Sequence, residues 1–229
     1  MKRQSLMVFA SVGFGGFLLG ASPAFAQVAL GGAEDFAALG SSAVTATDSV
    51  VEGNVGVGLG GAVTQTTSRI SGTVHLGDTV GQQAHLDFLA ARTAIGAMQC
   101  DLNLTGQPLA GQFLTPGVYC FDAAVTETGG TLTLIGPSDG IWIFKVGILG
   151  TGALTGTGFT VVMPDGAKCN NNVSWMTADA STLTDSVFLG SVLSGTAVTV
   201  TRGTLDGRAL ATTAVTMTGT SLCGGPPAL

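Results

Sequence analysis

GTAVTVTRGTLDGRALATTAVTMTGT, residues 195–220, nearly repeats itself. Thr196-Ala197-Val198-Thr199-Val200-Thr201 returns seventeen positions later as Thr213-Ala214-Val215-Thr216-Met217-Thr218. A fixed step of this size is the signature of a repeat architecture. The repeated unit is rich in Thr, Val, Leu and Gly and has no helix-length pattern, so it reads as one turn of a β-solenoid. Strand side chains alternate between faces, which sends Val198 and Val200 toward a core and Thr199 and Thr201 toward solvent. A catalytic site needs its groups once. A row of threonines brought back at a constant step points to a surface.

Outward from this stretch, the pattern Ala-x-Thr-x-Thr occurs seven times, starting at Ala43, Ala62, Ala124, Ala153, Ala180, Ala197 and Ala214. The last three starts are 17 apart and the first two are 19 apart, while gaps of 62, 29 and 27 leave room for insertions. Around the last three copies Trp175-Met176, Val192-Leu193 and Ala209-Leu210 fall in register, as do Phe188, Leu205 and Leu222. Stacked coils lie ~4.8 Å apart and same-face residues of a strand roughly 6.6 Å apart, so the outward threonines should form a regular grid of hydroxyl and methyl groups. Threonine also has high β-propensity, and a ladder of it can be purely structural.

One segment breaks the β pattern. Residues 80–99 place Ala84, Phe88, Ala91, Ile95 and Met98 at three- and four-residue steps, one apolar helical stripe, with Asp78 or Thr79 available as N-cap. Such a helix is expected to lie along one side of the coils, covering one face and leaving others open. His85 on it reads as a surface or groove residue.

The ends and the composition bound the function. Lys2 and Arg3, an apolar run over residues 6–19 and Ala24-Phe25-Ala26 form a signal peptide pattern, so residues 1–26 are expected to be cleaved and residues 27–229 to form one exported solenoid domain. Losing Lys2 and Arg3 takes the net charge from −6 to −8 and leaves six scattered basic residues, which argues against nucleic acid. No second long apolar run follows, so no membrane span is expected. Only 10% of residues are charged, against roughly 25% in an average soluble protein. A surface of Thr, Ser, Gly, Asn and Ala suits a neutral, ordered partner better than an ion.

Cys100, Cys120, Cys169 and Cys223 all lie in the exported part, where an even count favours disulfides. Four cysteines allow three pairings; Cys100 with Cys120 and Cys169 with Cys223 is the favoured one. None forms a C-x-x-C pair, and His75 and His85 are distant in sequence, so neither a zinc site nor a cofactor is expected. No enzyme is expected either. Asp179, Asp185, Asp206 and Arg208 read as residues of coil corners, Gly56-Val57-Gly58 lacks the rest of a dinucleotide fingerprint, and the exported part holds no Gly-x-Ser-x-Gly elbow.

Several segments together resemble the bacterial and fungal ice-binding proteins. They are Leu39-Gly40-Ser41-Ser42-Ala43-Val44-Thr45, Glu52-Gly53-Asn54-Val55-Gly56-Val57, Leu114-Thr115-Pro116-Gly117-Val118-Tyr119-Cys120-Phe121, Ile141-Trp142-Ile143-Phe144-Lys145-Val146-Gly147, Gly166-Ala167-Lys168-Cys169-Asn170, Val173-Ser174-Trp175 and Gly207-Arg208-Ala209-Leu210-Ala211. The resemblance implies a mostly β chain: a right-handed β-solenoid of triangular cross-section, discontinuous in coil order, with one long α-helix alongside. It implies an ice-contacting motif of the form Thr-Ala/Gly-x-Thr/Asn. Thr196-Ala197-Val198-Thr199 and Thr213-Ala214-Val215-Thr216 match in full. Asp179-Ala180-Ser181-Thr182 departs at its first position and Thr151-Gly152-Ala153-Leu154 at its last, which would place a charge and an apolar group in the row. By the 17-residue register Cys169 and Cys223 would sit about three coils apart, too far for a bond that needs Cα atoms within ~7 Å, unless coils stack out of order or a tail folds back.

The expected partner is therefore the surface of an ice crystal, met by a monomer through Thr155, Thr157, Thr182, Thr184, Thr196, Thr199, Thr201, Thr213, Thr216 and Thr218. The competing reading is an extracellular adhesion, matrix or carbohydrate-binding solenoid. Sugars favour exposed aromatics, whereas Trp142 and Trp175 lie in segments expected to be buried.

Overall fold

The computed structural model describes residues 28–164 and 169–225, and the expected signal peptide lies outside the described residues. The described chain is mostly β: 24 strands, numbered in chain order, in three sheets whose pairings are all parallel, beside one α-helix and a short 3-10 turn at Gly31–Asp35. A full coil of the chain contributes one strand to each sheet in turn.

The seven Ala-x-Thr-x-Thr segments are the seven strands of one sheet, called here the threonine sheet. In spatial order they are β11 (Val125–Thr128), β14 (Leu154–Thr157), β17 (Ser181–Thr184), β20 (Val198–Thr201), β23 (Ala214–Thr218), β2 (Ala43–Thr47) and β5 (Ala62–Thr66). The third sheet runs β6 (Arg69–Ile70), β3 (Val50–Glu52), β24 (Ser221–Cys223), β21 (Thr204–Asp206), β18 (Val187–Leu189), β15 (Thr160–Val162), β12 (Thr131–Leu134) and β9 (Phe113–Leu114). The helix-covered sheet runs β7 (Val74–Leu76), β4 (Asn54–Val57), β1 (Phe36–Gly40), β22 (Ala209–Ala211), β19 (Ser191–Ser194), β16 (Val173–Thr177), β13 (Trp142–Val146), β10 (Gly117–Phe121) and β8 (Leu102–Asn103). The registers read from the repeats hold: Trp175 pairs with Val192 and Val192 with Ala209, and Phe188, Leu205 and Leu222 stack in one row.

Coil order in space departs from chain order. The N-terminal coils stack on the C-terminal one, with β2 against β23 and β3 against β24. The chain then leaves that end through α1 (Thr79–Ala97) and resumes coiling at β8, the far edge. Nineteen helical residues span ~28 Å, and eight strand spacings across the covered sheet come to ~38 Å, so the helix and its short flanks match the length of the stack. This insertion fills the gap of 62 between Ala62 and Ala124.

The helix is slightly shorter than the expected 80–99. Asp78 is the N-cap, accepting from the Gly81 amide at 2.8 Å and facing His75 Nδ1 at 2.8 Å. Those bonds, the Gly81 amide foremost, hold its carboxyl below the usual range. Gly81, Ala84, Phe88, Ala91 and Ile95 are buried against Leu39, Val118, Ile143, Leu193 and Leu210 of the covered sheet, with Met98 only partly buried at the C-cap. Four hydrogen bonds fix the helix and its C-cap to the sheet. Arg92 donates to the carbonyls of Thr177 and Leu193, and buried Lys145 donates from Nζ to Gly96 O (2.9 Å) and Met98 O (2.7 Å). Cys100 bonds to Cys120, with Cα atoms 5.8 Å apart.

The coil interior is apolar. Val44, Leu154, Leu183, Val198, Val200, Val215 and Met217 point inward from the threonine sheet. From the covered sheet Tyr119, Phe144 and Trp175 stack at ring separations of 5.4 and 3.8 Å, and Phe188 follows at 4.9 Å. Both tryptophans are fully buried, and each indole N–H donates to a backbone carbonyl, Trp142 to Leu114 and Trp175 to Leu189.

The second disulfide, Cys169–Cys223, forms with Cα atoms 5.1 Å apart, although β15, β18, β21 and β24 stack in the order that should separate these residues. Neither coil reordering nor a returning tail closes the distance. Residues 169–172, just ahead of β16, reach back to β21 and β24 instead. Asn171 Nδ2 donates to Asp206 O at 2.7 Å, and Asn170 Oδ1 accepts from Arg208 at 3.2 Å. Arg208 also donates to Glu34 O at 2.9 Å, so it ties this loop to the N-terminal segment. Asp206 ends strand β21 and is not a corner residue as expected from sequence.

Candidate functional site

The threonine sheet carries two unbroken ladders. One row is Thr126, Thr155, Thr182, Thr199, Thr216, Thr45 and Thr64; the other is Thr128, Thr157, Thr184, Thr201, Thr218, Thr47 and Thr66, every neighbour in register. By the same alternation Ala124, Ala153, Ala180, Ala197, Ala214, Ala43 and Ala62 form a third column on the outer face. Six strand spacings make the rows ~29 Å long, and the three columns span roughly 13 Å. The alternation of burial agrees: in β20 Val198 and Val200 are buried while Thr199 and Thr201 are half-exposed.

Threonines with a structural job look different. Thr177 donates to Asp179 O and shares a buried cluster with Ser181 and Ser194, and Thr220 donates to Val200 O and Thr218 O. The fourteen hydroxyls of the two ladders make no hydrogen bond among the described residues and stay available to water. Threonine is stiff at χ1, so its methyl and hydroxyl hold their places.

The corner leading out of this sheet explains its regularity. In all seven coils the residue after the second threonine has positive φ: Asp48, Thr67, Gly129, Gly158, Asp185, Arg202 and Gly219. In the six coils that have a next coil its amide donates to that coil's threonine carbonyl, as Arg202 N does to Thr218 O and Asp185 N to Thr201 O. Each strand therefore turns away at the same point. Asp185 and Arg202 form a bidentate pair at 2.8 and 2.9 Å along this rim. That pairing lowers the Asp185 pKa and raises that of Arg202.

The structure brings eight of the ten expected site residues into the ladders. Thr196 and Thr213 are exposed but precede the strands, at the corner entering the sheet, where Thr213 N donates to Thr196 O. Six ladder members were not singled out from sequence: Thr45, Thr47, Thr64, Thr66, Thr126 and Thr128. Their signal was the seven-fold pattern itself, but only the stacking order puts them in one sheet. The expected defects in the row also dissolve. Leu154 pairs with Ser181, so the true counterpart of Thr182 is Thr155, and Leu154 points into the core. Asp179 sits at the entering corner, where its carboxylate accepts from Gly152 N at 2.8 Å.

The other outer faces lack this order. The covered sheet is closed by α1. On the third sheet one outer row reads Thr131, Thr160, Val187, Thr204, Ser221, Val50 and Arg69, and the next includes Asp206, Cys223 and Glu52, where Cys169 is bonded to Cys223 and Asn171 to Asp206 O.

The family model described as ice-binding-like matches residues 38–222. An ice-binding protein of Nostoc sp. (strain HG1) is 35% identical over 203 residues, covering 87% of this chain and 73% of that protein. Among solved structures, the ice-binding protein of the Antarctic ascomycete Antarctomyces psychrotrophicus superposes with a TM-score of 0.79 at 30% identity, covering 88% of this chain and 100% of that one. An ice-binding protein from an Antarctic biological consortium gives 0.79 at 27% identity, covering 89% and 93%. With the family model matched over most of its length, this chain belongs to the ice-binding-like family.

Proposed function

We propose that this protein is exported as a monomer after loss of residues 1–26 and adsorbs to ice through the outer face of the threonine sheet, where it inhibits crystal growth and recrystallisation. The observation that carries this is the pair of seven-membered threonine ladders, uncharged and free of internal hydrogen bonds, on the one outer face whose rows are uniform. The mechanism is recognition without chemistry. Threonine methyls and hydroxyls at fixed spacing hold a layer of water in an ordered pattern that merges with the crystal. Each contact is weak. The face is already rigid, with parallel pairing on both sides of its inner strands, so little entropy is lost on binding and many contacts add up. Adsorbed molecules then pin the advancing front between them.

The carbohydrate reading fares worse. Trp142, Trp175 and Tyr119, which could stack on sugars, are interior. The test is direct. Residues 27–229 are purified and a single ice crystal is watched in a nanolitre osmometer during slow cooling. A faceted crystal held below its melting point supports the reading. A smooth disc growing at once around folded protein refutes it.

A further inference from the structure

We infer that two aliphatic turns beside the threonine array, with Leu59 and Leu149 at their tips, belong to the ice-contacting surface; this rests on the reading of the array given above. Each coil passes from the covered sheet to the threonine sheet through a corner. Five of these corners have two residues before the alanine column, such as Ser41-Ser42, Asp122-Ala123 and Gly195-Thr196. The other two are longer. Gly58-Leu59-Gly60-Gly61 leads into β5 and residues 147–152 lead into β14.

Both excursions are closed by the same device. Gly61 N donates to Gly58 O at 3.0 Å, and Gly150 N to Gly147 O at 2.9 Å. Gly60 and Gly150 take φ of +77° and +109° and stand in open space, which lets the chain bulge outward. Turn tips ordinarily carry Gly, Pro, Asn, Asp or Ser. These carry Leu59, 83% exposed, and Ile148 with Leu149, 79% exposed, the two leucines being the most exposed large hydrophobic side chains among the described residues.

Their placement is the second argument. Both turns run directly into the alanine column, at Ala62 and Ala153. β5 ends the sheet and β14 is second from its other end, so five strand spacings, ~24 Å, separate the turns along the stack. The array is thus flanked at both ends of its alanine side by an aliphatic tip. Water beside an apolar group loses orientational freedom, as it does beside the threonine methyls. The leucines extend that ordered layer past the ladders and fix where the face ends.

The experiment compares three proteins spanning residues 27–229: the unaltered chain, Leu59→Ser with Leu149→Ser, and Leu86→Ser with Leu89→Ser. The last pair is exposed on α1, whose sheet is not the array. Each is measured for partition into slowly growing ice, for melting temperature and for sedimentation. The turn variant should lose roughly ten-fold in ice affinity with its melting temperature kept, and the helix variant should match the unaltered chain. Equal retention of all three overturns the inference. So does self-association of the unaltered chain that the turn variant abolishes, because the leucines would then be a contact between copies. An unaltered chain that stays out of ice refutes the array reading itself, and this inference falls with it.

Discussion

A tyrosine in the array should act according to where it stands, because the contact is made by a rigid plane. Thr199 lies on β20, the fourth of seven strands, and Thr64 on β5, the last. A bulky ring at Thr64 leaves six strands able to seat together. At Thr199 it lifts the centre, and the face can rock onto only three strands on one side. Two weak contacts per strand at ~0.5 kcal/mol each give about 1 kcal/mol per strand. Thr64→Tyr then loses ~1 kcal/mol, about five-fold in affinity, while Thr199→Tyr loses ~4 kcal/mol, close to three orders of magnitude. Both residues are β-formers on an open face, so folding stability should change by less than about 0.5 kcal/mol. Ice affinity is read from partition into growing ice over a range of protein concentrations, with melting followed by circular dichroism. Equal losses at the two positions, in folded proteins, would refute the rigid-plane argument.

Other outcomes follow from the same geometry. Thr160→Tyr and Thr204→Tyr, on the irregular third sheet, should leave the thermal gap in the osmometer unchanged. Opening Cys169–Cys223 with serines removes a link across 54 residues, worth up to about 4 kcal/mol by chain entropy, while Cys100–Cys120 across 20 residues is worth about 3 kcal/mol. Denaturant melts should rank the two variants in that order, and both should still enter ice at temperatures where they remain folded. The ladders hold no titratable group, so ice affinity should stay flat as pH falls. The Asp78 cap, with a pKa held below its ordinary value, stabilises the folded helix above the unfolded carboxylate range and is lost only as pH drops through the lowered folded value. Helix signal by circular dichroism should therefore hold to below about pH 4; fraying at neutral pH would contradict the cap.

Much of this molecule was legible along the chain. Alternation has a period of two, so Val198 inward and Thr199 outward follow from neighbouring residues alone. The stripe Ala84, Phe88, Ala91 and Ile95 marks the helix by the same kind of local arithmetic, and the seventeen-residue step announces stacked coils. What local pattern cannot state is which coil lies on which. Thr45 and Thr216 are 171 residues apart and become neighbours because a helix of the right length carries the chain from one end of the stack to the other. That long-range pairing joins the two threonine strands before the helix to the five after it and makes ladders of seven. The Cys169–Cys223 bond is likewise a matter of tertiary placement, since strand order alone would hold the two residues apart. Propensity and alternation act over a few residues and set each strand; the order of strands depends on closing large loops, and only the packed structure reveals how they close.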